Sequence, residues 1–508
     1  MLSKVFSAAL VGLDAHLVEV EVDIGAGLPQ FSVVGLPDAT VRESRDRVRS
    51  ALKNSGFTFP IKKITVNLAP ADLKKEGSGL DLAMAIGILL AEEVIPPSAV
   101  ENRVFIGELS LDGRIKPVPG ALSLGLAFRK RYDLLLAPEN AAEAAIVEGA
   151  QAYPVHTLPE VVEFLTGARP ILPVPTDGAQ VLTDSPADDD FADVKGQEHA
   201  KRALEVAAAG GHNILMVGPP GSGKTMLARR LPGILPPLER EEAIEATRVH
   251  SVAGFLPAGK PILTARPFRA PHHSISDAGL IGGGAVPKPG EVSLAHHGVL
   301  FLDEVLEFKR HVLDGLRQPL EDGMVTLTRV HASLRYPARV MLVAAMNPCP
   351  CGYYGDRTRE CQCSPHQVRR YRGRLSGPLL DRLDIQIEVP PVPVHELRGE
   401  DRHESSAAIR ARVTAARLRQ ASRYRADGIF SNAQLKPRQL KKYCALNEDG
   451  QQLIEQAMTK LGLTARAYGR ILRVARTIAD LAGSESILPS HLAEAIQYRS
   501  LDRRHDLA

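Results

Sequence analysis

The sequence predicts an α/β protein in three parts: an α/β segment, a domain built on a parallel sheet, and a helical C-terminal domain. Three observations carry this. Between residues 191 and 395, short and wholly apolar runs alternate with helical spacing, as in sheets covered on both faces. A proline-rich, acidic passage, residues 169–190, separates that stretch from an α/β segment at residues 1–168. From about Asp401 the chain turns Ala-, Leu- and Arg-rich at helical spacing without strand signals, which makes residues 396–508 a helical domain.

The elements follow in chain order. Val18 to Val22 (VEVEV) and Ile64 to Asn67 (ITVN) read as strands, Leu80 to Glu92 as an apolar helix, and Val104 to Leu111 as a further strand. The opening apolar run begins like a signal peptide. It ends at Asp14 with no small-residue cleavage site and then alternates like a strand, so the protein is expected in the cytoplasm. Past the linker, Ala200 to Ala209 reads as a helix and Asn213 to Val217 (NILMV) as a buried strand. Lys224 to Leu231 opens a helix, and Val299 to Leu302 and Val340 to Ala345 are further buried strands.

Composition sets limits on function. The 508 residues suffice for two to four domains, and 44% hydrophobic with 24% charged residues is a globular balance. No run approaches the roughly 20 apolar residues that span a bilayer. The net charge of +3 gives no global basic field, so a nucleic-acid path would have to be a local channel. With no Trp and 5% aromatics, such a path would track the backbone through Arg and Lys rather than stack bases. Five cysteines, four in one short cluster, suit a reducing compartment better than a disulfide scaffold.

Three motifs converge on a nucleotide. Gly218, Pro219, Pro220, Gly221, Ser222, Gly223, Lys224 and Thr225 form a phosphate loop after the NILMV strand and at the start of a helix. Its backbone N–H groups would wrap the phosphates of ATP. Lys224 would reach the β- and γ-phosphates, and the Thr225 hydroxyl would hold Mg²⁺. About 80 residues on, the apolar strand GVLFL ends in Asp303 and Glu304, the first to complete the Mg²⁺ shell and the second to polarise the attacking water. Asn347 ends the next apolar strand, where a polar group would meet the γ-phosphate at the carboxyl ends of the strands. Glu304 argues against a purely structural nucleotide site, since binding alone needs no water-polarising carboxylate.

Strand, phosphate loop, Asp-Glu and Asn in this order resemble the AAA+ ATPases. RPFRAPHHSISDAGLIGGGAVPKPGEVSLAHHGVLFLDE resembles the clade shared by magnesium-chelatase ATPase subunits and MCM helicases. With NPCPCGYYGD and the N-terminal segment, nearly the whole chain resembles the ComM/YifB family of Mg-chelatase-like ATPases. That resemblance implies a homo-hexameric ring with ATP sites between subunits. It places the arginine finger at Arg382 (GPLLDRLD) and the sensor-2 arginine at Arg466 (TARAYGR), with Arg470 one turn onward as the alternative. It also implies a motor acting on single-stranded, duplex or branched DNA, in branch migration or unwinding during integration of transforming DNA. The competing reading is an ATPase that remodels a polypeptide partner.

KKEGSGLDLAMAIGIL and GELSLDGRIKPVPGALSL resemble the Lon protease domain, which uses a Ser-Lys dyad. Here Gly79 stands at the nucleophile position and Leu122 at the lysine position, so the acyl-transfer route is expected to be absent, with Ser78 and Lys116 only nearby. A collar on the ring is the role this leaves for the segment.

Cys349, Cys351, Cys361 and Cys363 form two C-x-C pairs. Four thiolates this close could hold a structural Zn²⁺, although each pair is spaced more tightly than usual, and unliganded thiols are the alternative. Two elements are candidates to face DNA. One is a Gly-rich insertion from His272 and His273 through a flexible Gly282-Gly283-Gly284 tip to Lys288. The adjacent histidines are expected to point apart. The other is a hairpin, Thr326 to Leu334, with Arg329 or His331 near its tip, and Arg329 matches the basic hairpin residue of MCM proteins. Two arginine runs could line the same path or form solvated faces and subunit contacts: Arg369, Arg370, Arg372 and Arg374, and Arg410, Arg412, Arg417 and Arg419.

Overall fold

A computed structural model of the chain describes residues 1–175, 189–257, 259–284, 287–329, 332–356, 359–393 and 403–499. These form two bodies. The first draws on Met1–Thr183, Ala243–Leu263 and Thr328–Tyr336, the second on Asp184–Glu242, Thr264–Leu327 and Pro337–Ala508. Two pieces from beyond the expected linker therefore belong with the N-terminal body. Most of that linker lies outside the described residues.

The first body begins with a hairpin, β1 (Leu2–Val11) and β2 (Asp14–Gly25), in register from Leu2 opposite Asp23 to Val11 opposite Asp14. Gly12, at φ 63°, makes the reversal. The opening apolar run is thus a strand, and Val18, Val20 and Val22 alternate into the core at 0% exposure. The chain continues through β3 (Gln30–Val34), β4 (Lys63–Ala69), β5 (Arg103–Phe105), β6 (Glu108–Leu109), β7 (Ile115–Lys116), β8 (Asp133–Leu136) and β9 (Gln151–Pro154). Seven of these strands form one sheet in the order β3-β4-β2-β1-β5-β8-β9, and β6 pairs separately with β7.

The single strand expected over Val104 to Leu111 is therefore two. At Gly107 the backbone leaves the sheet: its N–H donates to Gly79 O at 3.0 Å and its carbonyl accepts from Leu82 N at 3.1 Å. That ties it to the helix Asp81–Ala91, all of whose residues are buried. The helix Arg240–Ala253 joins this body from Ala243 onward. Arg248 donates to Leu13 O and to Asp14, each at 2.7 Å, and to Ser123 Oγ at 3.1 Å. Ser251 donates to Glu143 and accepts the Gly120 N–H at 3.0 Å.

The second body is built on β10 (Ile214–Val217), β11 (Phe268–Arg269), β12 (Gly282–Gly283), β13 (Lys288–Pro289), β14 (Val299–Leu302), β15 (Met324–Arg329), β16 (Ala332–Pro337), β17 (Met341–Met346) and β18 (Ile385–Glu388), the hairpin β15–β16 lying across the division between bodies. Five strands form a parallel sheet in the order β11-β14-β17-β10-β18. Every residue of β10, β14 and β17 is buried, as continuous apolar runs between helices require. The edge strands β11 and β18 lie outside the sequence expectation, because one is two residues long and the other is half polar (IQIE). This sheet puts the ends of β10, β14 and β17 side by side, with Gly218, Asp303 and Asn347 one residue past them.

The helices Ser406–Tyr424, Pro437–Tyr443, Glu448–Leu461, Ala465–Leu481 and Pro489–Gln497 form the C-terminal helical region. Ile409, Val413, Ile471, Leu472 and Leu492 share one apolar cluster with Ile214, Val299 and Val343 of the sheet. At its centre the fully buried Asp480 pairs with Arg423 at 2.6 Å and Arg476 at 3.1 Å, and accepts from Asn432 at 2.9 Å. Among the described residues no helix is long and apolar enough to cross a membrane.

Candidate nucleotide site

The loop from Gly218 to Gly223 leads from β10 into the helix Lys224–Ile234. Gly221 and Gly223 take φ of 76° and 84°, the left-handed region where a side chain would be strained. At Gly218 a Cβ would run into the Val389 carbonyl oxygen, so only glycine lets the loop pass β18's extension. The helix opens at Lys224, and its first-turn N–H groups make the end a ready anion site.

Lys224 is 8% exposed, and burial lowers its pKa against the opposing pull of Asp303 and Glu304. Its Nζ donates to Gly218 O at 2.8 Å, Pro219 O at 2.9 Å and Asn347 Oδ1 at 3.5 Å. Thr225 Oγ1 donates to Asp303 Oδ2 at 2.6 Å, and the other Asp303 oxygen accepts the Glu304 N–H at 2.9 Å. Lys224, Thr225, Asp303 and Asn347 are thus brought together as the sequence expected. Glu304 sits at φ 49°, exposed, its carboxylate turned to His273 Nδ1 at 3.7 Å. Chemically this assembly offers a cation for phosphate, two oxygen ligands for a hard divalent ion, and a carboxylate to polarise water.

The two arginines lie elsewhere. Arg382 pairs with Glu321 and donates to Pro378 O at 2.7 Å, while Arg466, with its side chain 74% exposed, pairs with Asp381 at 2.8 Å. Neither bonds to Lys224, Thr225, Asp303, Glu304 or Asn347. Arg470 donates to Leu383 O at 3.3 Å. One link does run from the phosphate-loop strand: Asn213 Nδ2 donates to Arg382 O at 2.9 Å.

The four cysteine sulfurs lie within 4.8 Å of one another. Cys349 is 3.3 Å from Cys351 and 3.7 Å from Cys361, and Cys351 is 3.6 Å from Cys361. Tetrahedral thiolates around Zn²⁺ at about 2.3 Å stand about 3.8 Å apart, so the cluster fits that ion. The Tyr354 N–H donates to Cys349 Sγ at 3.3 Å. The Cys351 thiol is lowered to about 6, led by the backbone N–H of Tyr353. A Cβ on Gly352, at φ 87°, would meet Pro220 Cδ at 2.5 Å, so the cysteine loop packs directly on the phosphate loop. No sequence signal carried that contact.

Several expectations change. The triple glycine is no free tip: Gly282 and Gly283 pair with Pro289 and Lys288 in an antiparallel ladder. Lys288 is exposed there. His272 and His273, expected to diverge, lie side by side with ring centroids 4.0 Å apart and planes tilted by 34°, and His273 joins Glu304. Arg410, Arg412, Arg417 and Arg419 do not form a free basic face. They bond to Gly233 O, Glu205 and Glu404, Ala208 O, and Asp480 O, anchoring their helix to its neighbours. Arg329 ends β15, and His331 lies outside the described residues. In the first body Leu122 is fully buried, and Ser78 donates to Glu108, which stands 3.8 Å from Lys116. The Ser78 hydroxyl thus bonds to a carboxylate rather than to a lysine.

Sequence and site together define a P-loop ATPase of the AAA+ class. The chain matches the families described as magnesium chelatase, subunit ChlI, at residues 190–397, subunit ChlI of Mg-chelatase at 20–140, and the subunit ChlI C-terminal part at 403–499. It is 48% identical to competence protein ComM of Haemophilus influenzae, over 99% of this chain and 98% of that protein. It is 47% identical to YifB of Salmonella typhimurium over the same shares. The magnesium-chelatase 38 kDa subunit of Rhodobacter capsulatus is 27% identical over 39% of this chain and 55% of its own length. The chain belongs to the ComM/YifB family of Mg-chelatase-like proteins.

Proposed function

We propose that this protein is an ATP-hydrolysing DNA motor of the cytoplasm, working as a homo-hexameric ring in branch migration or unwinding during homologous recombination of transforming DNA. The observation that carries the hydrolytic part is Lys224, Thr225, Asp303 and Asn347 drawn together beside Glu304. Gly218 to Thr225 hold ATP, Thr225 and Asp303 take Mg²⁺, and Glu304 orients the water. Arg382 and Arg466, which bond to none of these residues, act on a neighbouring subunit's nucleotide. The competence name of the Haemophilus relative supports the DNA setting. Lys288, Arg329 and His331 are the proposed DNA contacts.

The four cysteines bind Zn²⁺, which when bound cross-links the loop they flank. The first body is a Lon-like fold without peptidase chemistry. ATP-dependent cleavage of casein lost on Ser78→Ala would contradict that. The test of the main reading is the ATPase rate with and without a four-way junction, scored alongside strand displacement. The Rhodobacter relative is named as a subunit, which supports a second reading in which the partner is a polypeptide. ATP turnover indifferent to single-stranded, duplex and branched DNA would decide for it.

A further inference from the structure

A cavity of about 500 Å³ opens in the second body between the turn after Glu304 and the helix Pro365–Arg372. Leu306, Glu307, Phe308, Arg310, Arg370 and Arg374 line it. The lining thus includes three arginines and one carboxylate residue. Arg374 donates to Leu306 O at 3.2 Å and pairs with Glu307 at 3.3 Å. Arg310 and Arg370 are exposed, and their side chains make no hydrogen bond or ion pair among the described residues. Two positive charges are therefore left uncompensated in one concave site, in a protein whose other arginine run is consumed internally.

We infer that this cavity binds the phosphodiester backbone of a nucleic-acid strand, and that the phosphate displaces Glu307 from Arg374. The inference rests on the DNA-motor reading and adds a site to it. Guanidinium forks match phosphate oxygens in two-point geometry, and all three cations here are arginines. Phe308 is 5% exposed, so no aromatic face is offered for stacking, and contact is to backbone rather than base. Leu306 and Glu307 belong to the turn Val305–Glu307, closed by Glu307 N–H donating to Glu304 O at 2.8 Å. A phosphate that draws Arg374 off this turn acts on the backbone of the residue that polarises water.

The test is fluorescence anisotropy of a labelled single-stranded oligonucleotide on the full chain between 50 and 200 mM salt. Arg310→Ala with Arg370→Ala should weaken binding about tenfold and lower the salt slope by about two. Nucleotide affinity and thermal midpoint serve as folding controls. Glu307→Gln removes the competing carboxylate and should tighten binding several-fold, which keeps the test alive if the double variant folds poorly. Wild-type affinity and slope in both variants overturn the site while leaving the DNA reading intact. No binding by the wild-type chain ends both. A double variant that keeps its DNA affinity and loses ATP turnover assigns the cavity to a neighbour's nucleotide instead, and the strand assignment falls.

Discussion

Thr225 Oγ1 and Asp303 Oδ2 lie 2.6 Å apart, joined by a hydrogen bond between the start of a helix and the end of a buried strand. Both oxygens are hard ligands presented to one point, so the cation position is built by the fold before any ion arrives. Lys224, the residue before Thr225, bonds to Gly218, Pro219 and Asn347, and Glu304, the residue after Asp303, turns its carboxylate to His273.

This arrangement separates binding from hydrolysis. Lys224→Ala should abolish nucleotide binding, because it removes the one cation at the loop. Glu304→Gln should leave ATP affinity within a few-fold and cut turnover by about 10²–10⁴-fold, the usual range for a lost general base. Equilibrium binding of a fluorescent ATP analogue, alongside steady-state turnover, measures both. Equal loss of binding in the two variants would show that Glu304 holds the nucleotide rather than the water.

The cysteine loop makes a second, independent prediction. Freshly purified protein should carry about one zinc per chain, and Cys349→Ser should lose it. Because Gly352 packs on Pro220, loss of the cluster should also weaken ATP binding, by several-fold, without any change to the phosphate-loop sequence. Metal content near zero in the unaltered protein removes the zinc assignment. Zinc loss with unchanged ATP affinity removes the coupling.

A third prediction concerns pH. Glu143 is buried, and burial lifts its carboxyl above the usual range against the opposing bonds from Ser251 and Leu122. A raised folded-state pKa favours the protonated form. Its stabilising contribution is complete below the ordinary glutamate value and is lost as pH rises through the folded value. Glu143→Gln keeps an acceptor and cannot ionise, so it should flatten that decline. At pH 8 its thermal midpoint should exceed the wild type's by about 2–4 °C, the shift that ~1 kcal/mol gives in a body of this size. Parallel midpoint curves from pH 4 to pH 8 would refute the reading.

The buried ion network of the helical region makes a fourth. Asp480 is fully buried between Arg423 and Arg476, and its removal leaves two guanidinium groups without their counter-charge. Asp480→Ala should destabilise the second body by about 3–5 kcal/mol. Denaturant unfolding followed on that body checks this, and a loss below about 1 kcal/mol would mean that water reaches the arginines.

These sites differ in how far the sequence revealed them. The phosphate loop, Asp303 and Asn347 were legible because each follows a wholly buried apolar strand, and such runs are hard to mistake. The glycines needed at φ 76° and 84° marked the loop as well. β11 was not legible, since two residues carry no periodicity. Residues 243–263 group with the first body although they follow the linker in the chain, because Arg248 and Ser251 hold them there through polar bonds that leave no sequence pattern. The arginine run from Arg410 to Arg419 shows the opposite failure. Its charge looked available, yet carbonyl oxygens and the carboxylates of Glu205 and Glu404 take it up. Only geometry separates that run from Arg310 and Arg370.

Arg382 offers the last test, because the proposed function sets it against a neighbouring subunit's nucleotide. It pairs with Glu321 and bonds to none of the Lys224, Asp303 and Glu304 side chains, which supports the proposed role in trans. Arg382→Ala should then hydrolyse ATP poorly while binding it normally. Lys224→Ala should be inactive for the opposite reason. In a ring formed from equal amounts of the two variants, an intact site needs Lys224 from one subunit and Arg382 from the next. Random mixing gives that pair at about a quarter of interfaces, so turnover should recover to roughly a quarter of wild type. If Arg382 acted within its own chain, every subunit would lack one essential group, and no mixing ratio would restore activity.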